Sequence, residues 1–363
     1  LTQVQCLRID FRSKTAMKLP RNLQLLSRRQ SLRLIAGATT GLILHSCAQS
    51  TETDSSQAEV VSASIGITSW IGNTPLHIAQ EKGFFEEQGL RLDAKVFSTI
   101  LDAFPAFEAG HLDGLNPVTT EAVLLTSRGV DYRVVLVCDT SVGADGILAR
   151  NSVASIKDFK GRQVAVQKGG VGHFFVLQVL EDVGLSSNDI TVIDVPPDTA
   201  AVAYQSGEVE IAYTFSPYME EANAAQSDGR IIYTSAEKPG AIADLYIFKT
   251  QFVENQAKAT EAFVRGILKG LDFLAQNPEE GLAIASKELG ITPSELEAQL
   301  KGLELPDLQT NLAMLSDFDS DLYLQNGMEN LANFLKSNNE IQETPDLSQV
   351  LEPRFVESVG ASS

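Results

Sequence analysis

The chain has 363 residues, 44% hydrophobic and 21% charged, with a formal net charge of -19. That much apolar material is enough for two lobes of ordinary size and excludes a wholly disordered chain. Residues 1–46 hold eight Lys and Arg against one acid, leaving 20 basic and 46 acidic residues in the remainder; a body of charge -26 excludes a nucleic-acid partner.

The basic front end has the layout of an export signal over residues 1–46. Ser27-Arg28-Arg29-Gln30 lies in a positive stretch, an apolar run follows from Leu34 to Leu44, and His45-Ser46-Cys47 closes it. The run is about half of the ~20 residues a spanning helix needs. Arg28-Arg29 resembles a twin-arginine signal, with Ser31 in place of the usual Phe, and reads equally as an ordinary basic region. Leu44 to Cys47 resembles a bacterial lipobox with an atypical His at its second position, which makes Cys47 the lipidated residue. Met17 would open a compact signal and is the expected start. Residues 47–59 are small and polar, a lipidated Cys followed by a flexible tether. Of the other cysteines, Cys6 lies upstream of Met17 and Cys138 sits alone in an apolar run, where it reads as a small buried hydrophobe.

From residue 60 onward strands and helices alternate. Strands are expected at Val60 to Thr68, Arg91 to Phe97, Leu112 to Leu115 and Tyr132 to Cys138, with helices at Pro75 to Gln88, Ile100 to Ala109 and Thr120 to Arg128. The scheme repeats with strands at Arg162 to Gln167, Thr191 to Val195 and Glu210 to Phe215 and helices at His173 to Val183 and Thr199 to Gln205. Such spacing implies parallel βαβ units. The halves align at an offset of 97, with Phe107 to Asp113 over Tyr204 to Glu210. In each, Gly ends a helix before a short polar link. The expected fold class is α/β, with parallel-rich sheets flanked by helices in two lobes and a cleft between them. Residues 60–142 give the first part of lobe 1 and 143–245 give lobe 2. Residues 246–363 return as helices packing on lobe 1. Chain crossings fall near Ser141 to Leu148 and Pro239 to Phe248.

Ligands of open parallel sheets bind beyond the carboxyl ends of strands, where helix N-termini converge. Four junctions of this kind stand out. Ser69 to Pro75 carries Trp70, the only tryptophan, which can pack over the sheet edge or cover a ligand; Asn73 and Thr74 follow, Thr74 as a candidate N-cap. Asn116 to Thr120 brings Thr119. Lys168 to His173 holds Gly169, Gly170 and Gly172, which let the backbone approach a ligand, and His173, which suits a helix face as well as a ligand contact. Phe215-Ser216-Pro217-Tyr218 offers an aromatic ring and Ser216 as an N-cap. Asp145 and Asp244 fall at the crossings, where each could accept from turn amides or meet a solute. No catalytic or metal-binding motif occurs, and Glu86-Glu87 and Glu220-Glu221 read as solvated faces.

Trp70 to Leu90, and above all Glu81-Lys82-Gly83-Phe84-Phe85, resembles the opening of solute-binding proteins for ABC importers of nitrate, sulfonate, taurine and thiamine-precursor type; Ala144-Asp145-Gly146, Asp158 to Arg162 and Pro239-Gly240 agree over roughly residues 60 to 290. The resemblance implies a two-lobed type II periplasmic-binding-protein fold and a non-catalytic, monomeric subunit on the periplasmic side of a membrane, anchored through Cys47. It would use no cofactor and no metal and would hand a small-molecule solute to an ABC permease. It carries the ligand contacts to Trp70, Asn73, Thr119, Asp145, Gly172, His173, Phe215, Ser216 and Asp244. The cysteine-rich motif of the pyrimidine-synthesising relatives is absent, and an enzyme or a solute sensor on the same fold stands as the alternative. Converging helix N-termini favour an anionic head group, and the two aspartates suit an amine. The expectation is therefore a sulfonate-type or taurine-like solute ahead of nitrate or bicarbonate.

Overall fold

The computed structural model describes residues 60–238 and 240–361. The export signal, Arg28-Arg29, Cys47 and the tether lie outside the described residues. The first half of lobe 1 runs β1 (Val61–Thr68), α1 (Thr74–Glu81), β2 (Leu90–Phe97), α2 (Ile100–Glu108), β3 (Gly114–Leu115), α3 (Thr119–Ser127) and β4 (Tyr132–Ser141). The chain then crosses into a second sheet through β5 (Asp145–Arg150), β6 (Gln163–Ala165), α4 (Val171–Asp182), β7 (Thr191–Ile193), α5 (Pro197–Ser206), β8 (Ile211–Phe215), α6 (Tyr218–Ala225) and β9 (Gly229–Thr234). It returns through β10 (Ala243–Lys249), followed by α7 (Thr250–Asn255), α8 (Ala257–Gln276), α9 (Pro278–Leu289), α10 (Pro293–Gln299), β11 (Leu303–Glu304), α11 (Leu308–Leu315), α12 (Leu324–Ser337) and α13 (Arg354–Ala361).

The six-stranded sheet has the order β11-β4-β10-β3-β1-β2 and the five-stranded sheet β7-β6-β8-β5-β9. Both are mixed, where the sequence pattern led to parallel-rich sheets. The βαβ strands are parallel, β1 with β2 and β3, β6 with β7 and β8. The antiparallel pairs all involve strands at the crossings, β4, β5 and β10. A chain leaving one sheet for the other enters it from the cleft side and so runs against its neighbours. Asp145 therefore opens a strand instead of lying in a hinge loop. Asp244 sits in β10, at the centre of the larger sheet, so the sheet changes before Ala243 and not at residue 245.

The repeat at offset 97 has a geometric basis. Gly110 after α2 and Gly207 after α5 have φ of 77° and 87°, a left-handed conformation that disfavours any side chain. The Glu81 to Phe85 block is packing. Phe85 is fully buried and stacks on Phe263 of α8 at 5.7 Å, and Gly266 leaves room for its ring, since a Cβ there would lie 2.3 Å from it. The returning helices α8 and α9 pack on α1, and α12 on α3. Among the described residues no helix is long and apolar enough to cross a membrane.

Candidate functional site

Parallel strands deliver their carboxyl ends to one cleft between the sheets. Thr68 ends β1 and Trp70 follows it, Thr99 follows β2, Asn116 and Val118 follow β3, Gln167 and Gly170 to Gly172 follow β6, Pro197 follows β7 and Phe215 ends β8; all line the same cavity. Its space outside atoms, open mouth included, is about 540 Å³. A wider groove bounded by α4, α11 and α12 lies elsewhere, lined by Thr119, Lys238, Met314, Tyr323 and Phe334 among others; it contains none of the buried acids described below.

The lobes meet across the cleft. Trp70 and Phe215 are edge-on with ring centroids 5.5 Å apart, and Thr99 Oγ1 donates to Gln167 Oε1 at 2.7 Å. At the crossings, the Ser141 and Ser235 hydroxyls lie 2.7 Å apart.

Four buried carboxyl groups gather at this place. Glu121, Asp145 and Asp244 line the cavity, and Asp139 stands behind Trp70, whose Nε1 donates to Asp139 Oδ2 at 2.9 Å. They are 0–7% exposed. Asp139 and Asp244 are register partners on β4 and β10. The Tyr213 hydroxyl donates to Asp145 Oδ1, while Asp145 Oδ2, Asp139 Oδ1 and Asn116 Oδ1 have no hydrogen-bond partner. Among the described residues no lysine or arginine lines the cavity.

Burial without a cation makes ionisation costly. Burial pushes Glu121 up to about 8, against the opposing pull of the Val118 and Val171 amides. It raises Asp139 to about 7 and Asp145 to about 6, where the Tyr213 and Ser141 hydroxyls oppose it. Asp244 is raised well above the ordinary range by burial, then by the charges of Asp139 and Asp145. Buried acceptors that lack donors cost free energy. Their concentration in a cleft makes this the candidate functional site. Among the described residues no set of three or more acidic, His or Cys side chains is arranged to hold a metal ion.

Of the residues singled out from sequence, Trp70, Asp145, Gly172, Phe215 and Asp244 line the cavity. Gly172 is required there, because a Cβ would fall 2.0 Å from the Tyr213 ring. The other four point elsewhere. Asn73 Oδ1 accepts from the Tyr246 hydroxyl at 2.8 Å and precedes a helix that starts at Thr74 itself. Thr119 faces the wider groove. His173 Nδ1 accepts from the Gly169 amide at 3.3 Å, its pKa lowered by burial to about 4. Ser216 does not cap α6, which begins at Tyr218 with Pro217 before it; its hydroxyl donates to Glu220 Oε1 at 2.7 Å. Sequence reasoning missed Thr99, Glu121, Asp139, Gln167 and Tyr213. A readable signal existed for Glu121 alone, the acid three residues after Val118 in a helix opening.

The expected anion position is also occupied. Glu121 Oε2 accepts from the Val118 amide at 3.1 Å, and the Val171 amide at the start of α4 pulls the pKa of the same carboxyl down. Glu121 thus takes one amide at the start of α3 and lines the cavity beside the start of α4, which puts an internal acid at the helix ends that the sequence marked for an anionic head group.

Comparison with known proteins places this cleft in a family context. The family model described as NMT1/THI5 like matches residues 70–281. The taurine-binding periplasmic protein of Escherichia coli is 21% identical over 295 residues, 78% of this chain and 89% of that protein. Among solved structures, the alkanesulfonate-binding protein SsuA from Xanthomonas axonopodis pv. citri, bound to MOPS, superposes with a TM-score of 0.67 at 16% identity, covering 82% of this chain and 99% of its own. The desulfurization enzyme DszB shares the fold at a TM-score of 0.63 and 15% identity, over 83% and 99% of the two chains.

Proposed function

The chain belongs to the NMT1/THI5-like family, and from that premise we propose that it is the extracytoplasmic solute-binding subunit of an ABC importer, anchored through a lipid on Cys47, and that its solute is a small compound bearing a protonated amine. The observation that carries the solute class is the set of buried carboxyl groups at the cleft, Glu121, Asp139, Asp145 and Asp244, with no lysine or arginine lining it. An ammonium group supplies both charge and several N–H donors, and charge-assisted hydrogen bonds are the strong ones. Trp70, Tyr213 and Phe215 cover the carbon skeleton. A taurine-type aminosulfonate meets this requirement through its nitrogen; simple alkanesulfonates and nitrate offer no donor, and bicarbonate offers one.

Because an enzyme shares the fold, fold alone does not separate binding from catalysis. Two features support binding. Cys138 is fully buried with its thiol pKa raised by burial, and its Sγ donates to the Gly72 carbonyl at 3.4 Å. His173 is engaged with the Gly169 amide. Neither the thiol nor the imidazole lines the cavity.

The test is thermal unfolding of ligand-free protein with taurine, ethanesulfonate, an aminopyrimidine, nitrate and bicarbonate, since a ligand of the native state raises the melting temperature by mass action. Amine-bearing compounds are expected to stabilise, and the des-amino member of the taurine and ethanesulfonate pair is not. Equal stabilisation by ethanesulfonate or nitrate overturns the solute class. Recovery of a chemically altered solute overturns the non-catalytic reading.

A further inference from the structure

We propose that Glu121 is the specificity-determining residue of the cleft: its carboxyl fills, from within the protein, the anion position shared by the N-termini of α3 and α4, and so turns away solutes whose only charge is negative. The inference deepens the amine reading of the same site and rests on it for the identity of the accepted solute.

The geometry is specific. Glu121 lies in the first turn of α3, a helix of nine residues, and α4 has twelve. Its Oε2 takes the Val118 amide of its own lobe at 3.1 Å, and the Val171 amide of the other lobe acts on the same group. The side chain is 4% exposed and lines the cavity. Helix N-termini carry partial positive charge and unpaired N–H groups, so this pair of helix ends would hold an external sulfonate or carboxylate if Glu121 were absent. With Glu121 in place, an incoming anion must displace its carboxyl toward Asp145 and Asp244 or enter a cleft already filled by buried acids. Neither move meets a lysine or arginine, since none lines the cavity. The same side chain stands between the lobes, bonded to Val118 before β4 and sharing the cavity wall with Val171 after β6.

The experiment uses the full exported chain and three variants, Glu121→Ala, Glu121→Ser and Glu121→Gln, with sodium methanesulfonate and sodium acetate as probes in calorimetric titration. The Ala and Ser variants remove the occupant and are expected to bind at least one probe tenfold or more tighter than wild type. The Gln variant keeps the side chain's volume and one acceptor, and is expected to exclude both probes as wild type does. Circular dichroism checks folding, and the Ser variant, whose hydroxyl can accept from a helix amide, decides the matter if the Ala variant does not fold. Wild type binding either probe as tightly as the truncated variants, or folded Ala and Ser variants that bind neither, overturns the proposal. If truncation opens anion binding while wild type fails to prefer taurine over ethanesulfonate, the amine reading falls and the role of Glu121 stands.

Discussion

The Trp70 indole nitrogen donates to Asp139 Oδ2 at 2.9 Å, joining the lone tryptophan of the chain to a fully buried acid. Gly72 makes the contact possible, because a Cβ at that position would lie 1.9 Å from Asp139 Oδ2 and 2.4 Å from the indole nitrogen. The ring thereby stands upright at the cleft mouth with one edge on Phe215.

This pairing makes Trp70 a reporter of its partner's charge. Asp139 is raised to about 7 by burial, so its ionisation next to the indole falls near neutral pH. The emission of Trp70 is expected to titrate with a midpoint near 7 in ligand-free protein and to stop doing so in Asp139→Asn. A flat emission profile between pH 5 and pH 9 would contradict the pairing.

Asp145 and Asp244 carry the amine contact in this account, and losing one charge-assisted partner costs about 1.5–3 kcal/mol. Asp145→Asn and Asp244→Asn are each expected to weaken binding of an amine-bearing solute by about 10- to 100-fold, measured by calorimetry. The same changes should stabilise the ligand-free protein above neutral pH. For Asp145, whose pKa moves from 3.8 to about 6, the gain at pH 8 is on the order of 3 kcal/mol. A variant that binds normally and melts at the wild-type temperature would contradict both expectations.

The acid cluster also fixes how stability responds to pH. Glu121, Asp139 and Asp145 have pKa values of about 8, 7 and 6 in the folded protein, against ordinary values of 4.5, 3.8 and 3.8. Between those limits the folded state holds more protons than the unfolded chain. The stabilisation from these groups is therefore complete below about pH 4 and is lost as pH rises through 6 to 8. Ligand-free protein is expected to melt lower at pH 8 than at pH 5.5, and a saturating amine ligand to narrow the difference. A melting temperature that rises steadily from pH 5.5 to pH 8 would contradict this.

Gly172 sets how closely α4 approaches the Tyr213 ring that holds Asp145. Gly172→Ala inserts a methyl where no room exists, and overpacking of this kind costs about 1–3 kcal/mol. Chemical denaturation should register that loss, accompanied by weaker solute binding as Tyr213 is pushed off Asp145. Unchanged stability would mean that α4 shifts freely.

Much of this architecture was legible in the sequence because its signals are local. Helix-ending glycines, the βαβ rhythm and the Glu81 to Phe85 packing block each depend on residues near one another, and parallel strands fix which junctions face the cleft. Trp70, Gly172 and Phe215 could be placed for that reason, as could Asp145 and Asp244 at the crossings. What escaped depends on contacts between distant segments. Asp139 lies one residue past the strand expected at Tyr132 to Cys138, and only its register with Asp244 on β10 reveals the pair. Tyr213 becomes a site residue because β8 lies beside β5. Conversely, Asn73 and His173 sit at the right junctions but turn to Tyr246 and Gly169, a choice of rotamer and neighbour that no local pattern encodes. The helix ends fall at the cleft as the sequence led us to expect, yet an acid from the first turn of α3 stands among them, and the amine reading proposed above follows from it.

The most direct test of the central claim is mass spectrometry of the compound that wild-type protein retains from a complex metabolite extract, run beside the Asp145→Asn, Asp244→Asn double variant. The account requires a compound with a basic nitrogen on wild type, unchanged in mass and missing from the variant. A retained anion without such a nitrogen, or equal retention by the variant, would contradict it.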